Sequence, residues 1–219
     1  MGKPKTGQLY PCVGLAGAAW RWVSERGVRL ATGDSTLARY AALCSLNLPE
    51  VEDVIPADDS LLVILRRGES ISAELRATLT APLANTQAIS GNLHEIAVEY
   101  GGVAGADLPA LAEQAGMDRV TYINSHAAVE YTVVFLGFQP GFPYLSGLPP
   151  VLHAPRRSTP SVRVPAGSVA IGGAYCGIYP ASGPGGWQII GRTAAVLFDP
   201  QRASPALLMP GDRVRFVPT

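Results

Sequence analysis

The sequence predicts an α+β protein with two domains, a small α/β sandwich over residues 1–91 followed by an antiparallel barrel or sandwich over residues 92–219. In the first domain, apolar residues recur with strand periods that alternate with helix periods. Beyond residue 131 the helical period disappears, and short apolar runs alternate with Gly/Pro turns. An apolar content of 47% is enough to fill the core of both domains.

The first domain is predicted to run β-α-β-β-α, an order that closes into a small open sheet with helices on one face. Two tryptophans on one face mark the first strand, and short polar residues mark the helix starts. The predicted elements are a strand at 18–23, a helix capped by Asp34 or Ser35, strands at 51–55 and 61–65, and a helix from Ser70 through Leu79.

Polar, aperiodic residues 85–92 indicate a linker, and a cleanly alternating strand then opens the second domain. Two short helices are expected next, each capped by an aspartate. The predicted elements are a strand at 94–100, a helix from Asp107 to Gly116, a helix from Asp118 to about His126, and strands at 131–136, 168–172, 187–190, 194–198 and 213–217.

The bulk composition disfavours several classes of function. Lys+Arg and Asp+Glu balance at 17 each, so no basic face for nucleic acid is indicated. A charged content of only 16% suits a protein that buries surface against a partner. The 3 cysteines are too few and too far apart for a disulfide framework, and no stretch approaches the ~20 apolar residues of a membrane span. We therefore expect a cytoplasmic protein that binds neither membrane nor nucleic acid.

Two segments, 135–145 and 180–192, surround aromatic residues with glycine and proline. Glycine allows close backbone approach and proline fixes φ, so neither segment fits a helix or a central strand. They are either two stiff barrel corners packed by their own aromatic rings or the walls of a ligand cleft. Two such segments with arginines nearby favour a cleft, in which Phe142 and Trp187 line one concave surface and Gly185 and Gly186 let a ligand approach the backbone.

Three arginines are candidate anion ligands because a guanidinium matches carboxylate or phosphate oxygens. Arg156 and Arg157 lie in a proline-bounded loop, and Arg192 follows the strand after Trp187. The alternative for each is a salt bridge at a strand end. His126, at the end of its helix, either interacts with the helix dipole or is an acid or base of the site.

Other familiar sites are disfavoured. Residues 183–186 lack the Gly-Lys-Ser/Thr ending of a phosphate-binding loop. Ser168 does not lie in a G-x-S-x-G sequence, so its hydroxyl is expected to orient a loop or a ligand rather than act as a nucleophile. His94 and His153 have no further ligands nearby in sequence, and no metal site is predicted.

A series of short motifs occurs in order along the second domain. They lie at residues 100–102 (Tyr-Gly-Gly), 105–108 (Gly-Ala-Asp-Leu), 126 (His), 135–145 (Phe-Leu-Gly-Phe-Gln-Pro-Gly-Phe-Pro-Tyr-Leu), 155–157 (Pro-Arg-Arg), 164–169 (Val-Pro-Ala-Gly-Ser-Val), 177–180 (Gly-Ile-Tyr-Pro), 184–187 (Pro-Gly-Gly-Trp), 190–193 (Ile-Gly-Arg-Thr), 197–200 (Leu-Phe-Asp-Pro) and 210–216 (Pro-Gly-Asp-Arg-Val-Arg-Phe). Together they strongly resemble the allophanate hydrolase subunit 1 family. That family includes the B-type subunit of the bacterial ATP-dependent 5-oxoprolinase, a sporulation kinase inhibitor, and the C and D subdomains of the carboxyltransferase part of urea carboxylase.

The resemblance implies a cyclophilin-like barrel preceded by a small α/β domain. It also implies a partner like allophanate hydrolase subunit 2, which corresponds to the C-type subunit of 5-oxoprolinase, and possibly an A-type subunit as well. It further implies ATP used by the assembled complex and a small amide or lactam substrate. On this basis His126, Tyr144 and Arg192 are the catalytic candidates. The substrate-binding candidates are Phe142, Arg156, Arg157, Ser168, Tyr179, Gly185, Gly186 and Trp187.

The same family leaves other functions open. These are a regulatory module that inhibits a histidine kinase and the carboxyltransferase part of a biotin-dependent urea carboxylase. Prolyl isomerase activity would rest on the barrel type alone, and fold does not imply function. The chain also departs from the family pattern near the expected cleft, at Ser161, Tyr175, Cys176 and Gly183. These departures leave the identity of the substrate open.

Overall fold

A computed structural model describes residues 20–81 and 91–219 of the chain. The chain divides into two compact units, residues 1–89 and 90–219. The predicted linker at 85–92 lies outside the described residues except for Gly91 and Asn92. The mixed α+β class predicted from sequence is confirmed.

The first unit is a four-stranded antiparallel sheet with the strand order β1-β2-β4-β3 and two helices. Its elements are β1 (Trp20–Trp22), β2 (Gly27–Ala31), α1 (Thr36–Leu46), β3 (Val51–Ala57), β4 (Ser60–Leu65) and α2 (Ala73–Thr80). The predicted order lacked β2, which has only five residues. Its two inward side chains, Val28 and Leu30, alternate with exposed Arg29, and this alternation is too short for a distinct strand signal.

Apolar side chains from the sheet and both helices form the core of the first unit. Leu43 of α1 and Leu75 and Leu79 of α2 are buried in it. Ser72 caps α2 by accepting a hydrogen bond from the Leu75 backbone amide at 3.0 Å. Arg39 of α1 donates to the carbonyls of Thr78 and Ala81, which lie at the C-terminal end of α2 where backbone acceptors are unsatisfied.

The second unit is a closed seven-stranded barrel with the order β10-β7-β6-β13-β5-β12-β9, and its cyclophilin-like character is as the sequence led us to expect. The pairing between β5 and β13 is parallel, and the other barrel pairs are antiparallel. The barrel elements are β5 (Leu93–Tyr100), α3 (Leu108–Gln114), α4 (Arg119–Ala127), β6 (Glu130–Leu136), β7 (Pro143–Ser146), β9 (Ser168–Gly172), β10 (Tyr175–Ile178), β12 (Gln188–Arg192) and β13 (Arg213–Pro218). A separate two-stranded antiparallel sheet pairs β8 (Ser161–Val164) with β11 (Gly183–Gly185).

Two expectations for this unit were wrong. The segment 194–198 is not a strand, because Leu197 and Asp199 exchange backbone hydrogen bonds with residues 205–207 instead of with a barrel strand. The two aromatic segments do contain strands. β7, which begins at Pro143 inside the segment 135–145, was not predicted, whereas β12 at the end of the segment 180–192 agrees with the strand expected at 187–190. The high Gly/Pro content of these segments correctly indicates turns. It gives no signal for the short strands on either side of the turns.

The core of the barrel contains a buried polar group, the imidazole of His126. Its Nδ1 lies 2.8 Å from the Tyr100 hydroxyl, and its Nε2 lies 3.3 Å from Cys176 Sγ. The ring packs against Tyr131 and Phe216 at centroid distances of 5.2 and 4.9 Å. Burial lowers the pKa of His126 to about 3 and raises the pKa of the Cys176 thiol, so both groups are neutral at pH 7.

A second apolar cluster, called the aromatic cluster below, is built largely on the two aromatic segments. Its buried members are Phe142, Val164, Ala170, Tyr179 and Trp187. The rings of Phe142 and Trp187 meet edge to face, with centroids 5.3 Å apart. Trp187 also lies against the end of β9, where a Cβ on Gly172 would stand 2.5 Å from its indole ring. Glycine at position 172 therefore provides the space that the indole occupies.

The burial of neutral His126 predicts a specific pH dependence of stability. Its folded pKa of about 3 lies below the ordinary value of 6.5, so between these values the unfolded chain binds a proton that the folded chain does not. Stability should therefore be full above about pH 6.5 and fall with decreasing pH, by up to about 1.4 kcal/mol per pH unit from this group. Urea unfolding of wild type and His126→Gln from pH 7 to pH 4 should show a shallower decline in the variant. An unchanged slope in His126→Gln would contradict the assignment.

The close approach of the Trp187 ring to Gly172 predicts that a methyl group added at this position destabilises the fold. Gly172→Ala should lower the free energy of unfolding by about 1–3 kcal/mol, because the Cβ overlaps the Trp187 ring. Gly186→Ala is the matched control, since its nearest neighbours would be 3.7 Å away. That substitution should change stability by less than about 0.5 kcal/mol. Equal effects of both substitutions, measured by denaturant unfolding followed through tryptophan fluorescence, would rule out this packing argument.

Candidate functional site

A cleft of about 300 Å³ on the barrel unit brings together three of the predicted site residues, Arg157, Ser168 and Arg192. Its volume is at the lower end of the range for small-molecule sites. The lining residues are Glu99, Val103, Ala104, Ala106, Asp107, Arg157, Pro165, Ser168, Ile189 and Arg192. The cleft therefore has a polar side with two carboxylates and two guanidiniums, and a small apolar side from the loop that precedes α3.

Strand pairing places one row of polar residues across the cleft. In β12, Arg192 pairs with Glu99 of β5 on one side and with Ser168 of β9 on the other. The Ser168 side chain is buried, and its hydroxyl donates to the Pro165 carbonyl at 2.8 Å. The Nε of Arg192 donates to the Ala166 carbonyl at 3.1 Å, which orients the guanidinium and leaves its terminal nitrogens toward solvent.

Asp107 connects β12 to the loop that carries Arg156 and Arg157, called the arginine loop below. Its carboxylate accepts a hydrogen bond from the Ile189 amide at 2.7 Å, and both of its oxygens lie 3.3 Å from Nη1 of Arg157. The Arg157 amide in turn donates to the Gly186 carbonyl at 2.7 Å. Asp107 occupies the N-cap position of α3 as expected, but its carboxylate makes no capping hydrogen bond, because it bonds to β12 and Arg157 instead of to the helix amides.

Glu99 and Asp107 line the cleft but were not among the predicted site residues. Asp107 lay within the quoted motif at 105–108 but was assigned only to a helix cap. Glu99 occupies an outward position in an alternating strand, which by itself indicates nothing more than exposure. Its relevance depends on the neighbour across the sheet, and the sequence does not show which strand that is.

A neighbouring groove of about 390 Å³ shares two residues with the cleft. Glu99 and Arg192 line both spaces, and Ala97, Thr193, Ala194 and Thr219 complete the groove. The Glu99–Arg192 pair therefore stands at the boundary between the two spaces and is accessible from each.

The predicted wall residues Phe142 and Trp187 belong to the packed aromatic cluster. The structure brings the two segments together as expected, but the two side chains are only 1% and 5% exposed. Tyr179 is buried beside them and would collide with a Cβ on Gly185, and burial raises the pKa of its hydroxyl. Much of this region thus fits the alternative of a corner packed by its own rings.

Part of the aromatic cluster remains accessible. Tyr144 is half-buried and stacks on Phe135 with centroids 4.2 Å apart. Phe138 is 60% exposed and has a φ of 64°, a backbone conformation that is uncommon for a residue other than glycine. Arg156 lies over the Trp187 ring at 5.8 Å, in cation–π geometry. The hydrogen bond between Arg157 and Gly186 joins this cluster to the cleft.

His126 is not among the residues that line the cleft, and its side chain is 0% exposed. A substrate outside the barrel has no direct access to either ring nitrogen, and the low pKa opposes protonation. The position therefore argues against the proton-transfer role suggested from sequence. We assign His126 a structural role in the barrel core.

The described residues offer no obvious place for a metal or a nucleotide phosphate. They contain no group of three or more His, Cys, Asp and Glu side chains arranged around a common point. The glycines at 183–185 pair with β8 instead of opening a helix, so their backbone does not form a phosphate-binding loop. None of the described helices combines the length and apolarity needed to cross a membrane.

Comparison with known proteins places these observations in a family. Residues 15–208 match the family described as "Carboxyltransferase domain, subdomain C and D". The B-type subunit of the 5-oxoprolinase of Escherichia coli O157:H7 is 47% identical over 175 residues, which are 79% of this chain and 80% of that protein.

Two solved structures extend the comparison. TTHA0988 is 35% identical with a TM-score of 0.75 and matches 89% of this chain, which spans only 40% of the TTHA0988 chain. The PH0987 protein of Pyrococcus horikoshii is 32% identical with a TM-score of 0.57, and the match covers 91% of this chain and 97% of that one. From the match over residues 15–208, the chain belongs to the carboxyltransferase domain, subdomain C and D, family.

Proposed function

We propose that this chain is one subunit of an ATP-dependent amide-bond hydrolase that acts on 5-oxoproline or a related small amide or lactam. The observation that carries the proposal is the cleft with Arg157 and Arg192, found in a chain similar to proteins named as the B-type subunit of 5-oxoprolinase. The guanidiniums suit an anionic substrate or the oxyanion that forms when an amide carbonyl is attacked.

The proposed chemistry requires contributions from other subunits. Hydrolysis of a stable lactam at the cost of ATP needs a nucleotide site, an attacking group and stabilisation of the tetrahedral oxyanion. Because the glycines at 183–186 do not fit a phosphate, we assign ATP binding to another subunit. In this chain, Arg192 would bind the anion and Asp107 would hold Arg157 beside it.

The aromatic cluster would contribute shape rather than chemistry. We propose that Tyr144 and Arg156 form the accessible part of a surface next to the cleft and orient the bound molecule. Phe142, Tyr179 and Trp187 would support that surface from below. The backbone at Gly185 and Gly186 would fix the separation between the cluster and the arginine loop.

The proposed partners are a protein like allophanate hydrolase subunit 2, equivalent to the C-type subunit of 5-oxoprolinase, and an A-type subunit. The match to only 40% of the TTHA0988 chain supports this, because in that protein a similar unit is joined to further polypeptide. We propose the cytoplasm as the location, since Cys44 and Cys176 are both free thiols.

Carboxyl transfer is a second candidate, because the matched family is described as a carboxyltransferase domain. A complex with this activity would use a carboxylated biotin group and would release no glutamate from 5-oxoproline. Comparing the two reactions on the same purified complex separates the candidates.

Anion binding by Arg192 predicts a loss of activity even when the positive charge is kept. Arg192→Lys should lower the kcat/KM of the complex for 5-oxoproline by about tenfold, because an ammonium cannot reproduce the guanidinium fork. Arg192→Ala should be at least as impaired. Arg119→Lys, at an exposed position on α4 outside the cleft, should retain wild-type activity. Full activity in both Arg192 variants, with unchanged unfolding, would remove this residue from the site.

The division of labour predicts that the purified chain alone is catalytically silent. Glutamate release from 5-oxoproline and ATP should appear only after co-expression with the proposed C-type and A-type partners. The complex should bury more than about 2,000 Å² between its polypeptides and be apolar at the centre of the interface. Substantial ATP-dependent hydrolysis by the isolated chain would contradict the proposal.

A further inference from the structure

The proposed chemistry assigns no role to Glu99. The residues around Glu99, however, indicate a role in ligand binding. It lies opposite Arg192 on the neighbouring strand, and both residues line the cleft and the adjoining groove. Within the described part of the chain, the Glu99 carboxylate makes no hydrogen bond or ion pair, and Arg192 makes only the contact from Nε to a backbone carbonyl. The pair thus presents, side by side and to solvent, a carboxylate acceptor and guanidinium donors that no protein group occupies.

The other charges of the cleft are already paired. Asp107 contacts both Arg157 and the Ile189 amide, so it has little capacity for a ligand. The cleft therefore has one satisfied acid–base pair and one open pair. An open pair of this kind binds a ligand that itself carries a negative group and a hydrogen-bond donor.

We infer that Glu99 and Arg192 form a two-point site for a small lactam carboxylate: Arg192 binds the carboxylate, and Glu99 accepts the hydrogen bond of the lactam N–H. The choice of this ligand class rests on the proposed function. In 5-oxoproline the N–H is attached to the carbon that bears the carboxylate, so the two groups are close neighbours. Residues opposite each other on antiparallel strands have Cβ atoms about 4.5–5.5 Å apart, which suits such a ligand.

The same arrangement gives selectivity through repulsion. A carboxylate that lacks the N–H brings a negative charge near Glu99 without a compensating hydrogen bond. A lactam without a carboxylate leaves the Arg192 guanidinium without an anion. The apolar side of the cleft, formed by Val103, Ala104 and Ala106, suits the methylene groups of a small ring.

Equilibrium binding to the assembled complex without ATP tests the inference. The probes are 5-oxoproline, its isosteric γ-lactone with a ring oxygen in place of the N–H, and 2-pyrrolidone, which lacks the carboxylate. The wild-type complex should bind 5-oxoproline at least about fivefold more tightly than either analogue, because each loses one charge-assisted hydrogen bond.

The variants assign each preference to one residue. Glu99→Ala should abolish the preference for the lactam over the lactone and bind the lactone at least as well as wild type, because repulsion is removed. Arg192→Ala should abolish the preference for 5-oxoproline over 2-pyrrolidone. Glu113→Ala, at an exposed position on α3 outside the cleft, is the matched control and should keep both preferences.

A wild-type complex that does not distinguish the lactam from the lactone overturns the inference, as does a Glu99→Ala complex that keeps the wild-type preference. ATP-dependent glutamate release, measured on the same preparations, separates this inference from the proposed function. Selective binding without hydrolysis would refute the hydrolase assignment alone. Hydrolysis with an unchanged lactam preference in Glu99→Ala would refute the two-point site alone.

Discussion

Strand β12 lies between β5 and β9, and this double pairing determines the geometry of the site. Its register aligns Arg192 with Glu99 on one side and with Ser168 on the other. Its first residues follow Trp187, which anchors the aromatic cluster, and its Ile189 amide holds the carboxylate of Asp107. A change of one residue in this register would move every outward side chain of the strand to the inner face.

The barrel core combines apolar packing with the buried, hydrogen-bonded imidazole of His126. Both ring nitrogens of His126 have a neighbour at hydrogen-bonding distance, and the Tyr131 hydroxyl donates to the His126 carbonyl at 2.9 Å. An unpaired imidazole in this position would be costly, so the arrangement fixes how α4 packs on the barrel. The consequence is that the histidine contributes to stability and specificity of packing and has no direct access to the cleft.

The cleft is built to bind an anionic group. It offers guanidiniums held in place by Asp107 and by a backbone carbonyl, and preorganised donors of this kind are suited to charge that develops during amide cleavage. It offers no described group positioned to attack a carbonyl. The proposed division of the chemistry between subunits agrees with a surface prepared for binding.

The sequence by itself determined the mixed α+β class, the helix cap at Asp118 and most barrel strands, because these depend on local periodicity and local hydrogen bonds. The ordered motifs also determined the family. Several strands of three to five residues, such as β2 and β11, were missed because runs of that length barely show a period. Only the tertiary structure could decide that His126 is buried, that Asp107 binds Arg157 instead of capping α3, and that Glu99 faces Arg192. Those three facts depend on which strands become neighbours, and contacts between residues far apart in the chain leave no local signal in the sequence.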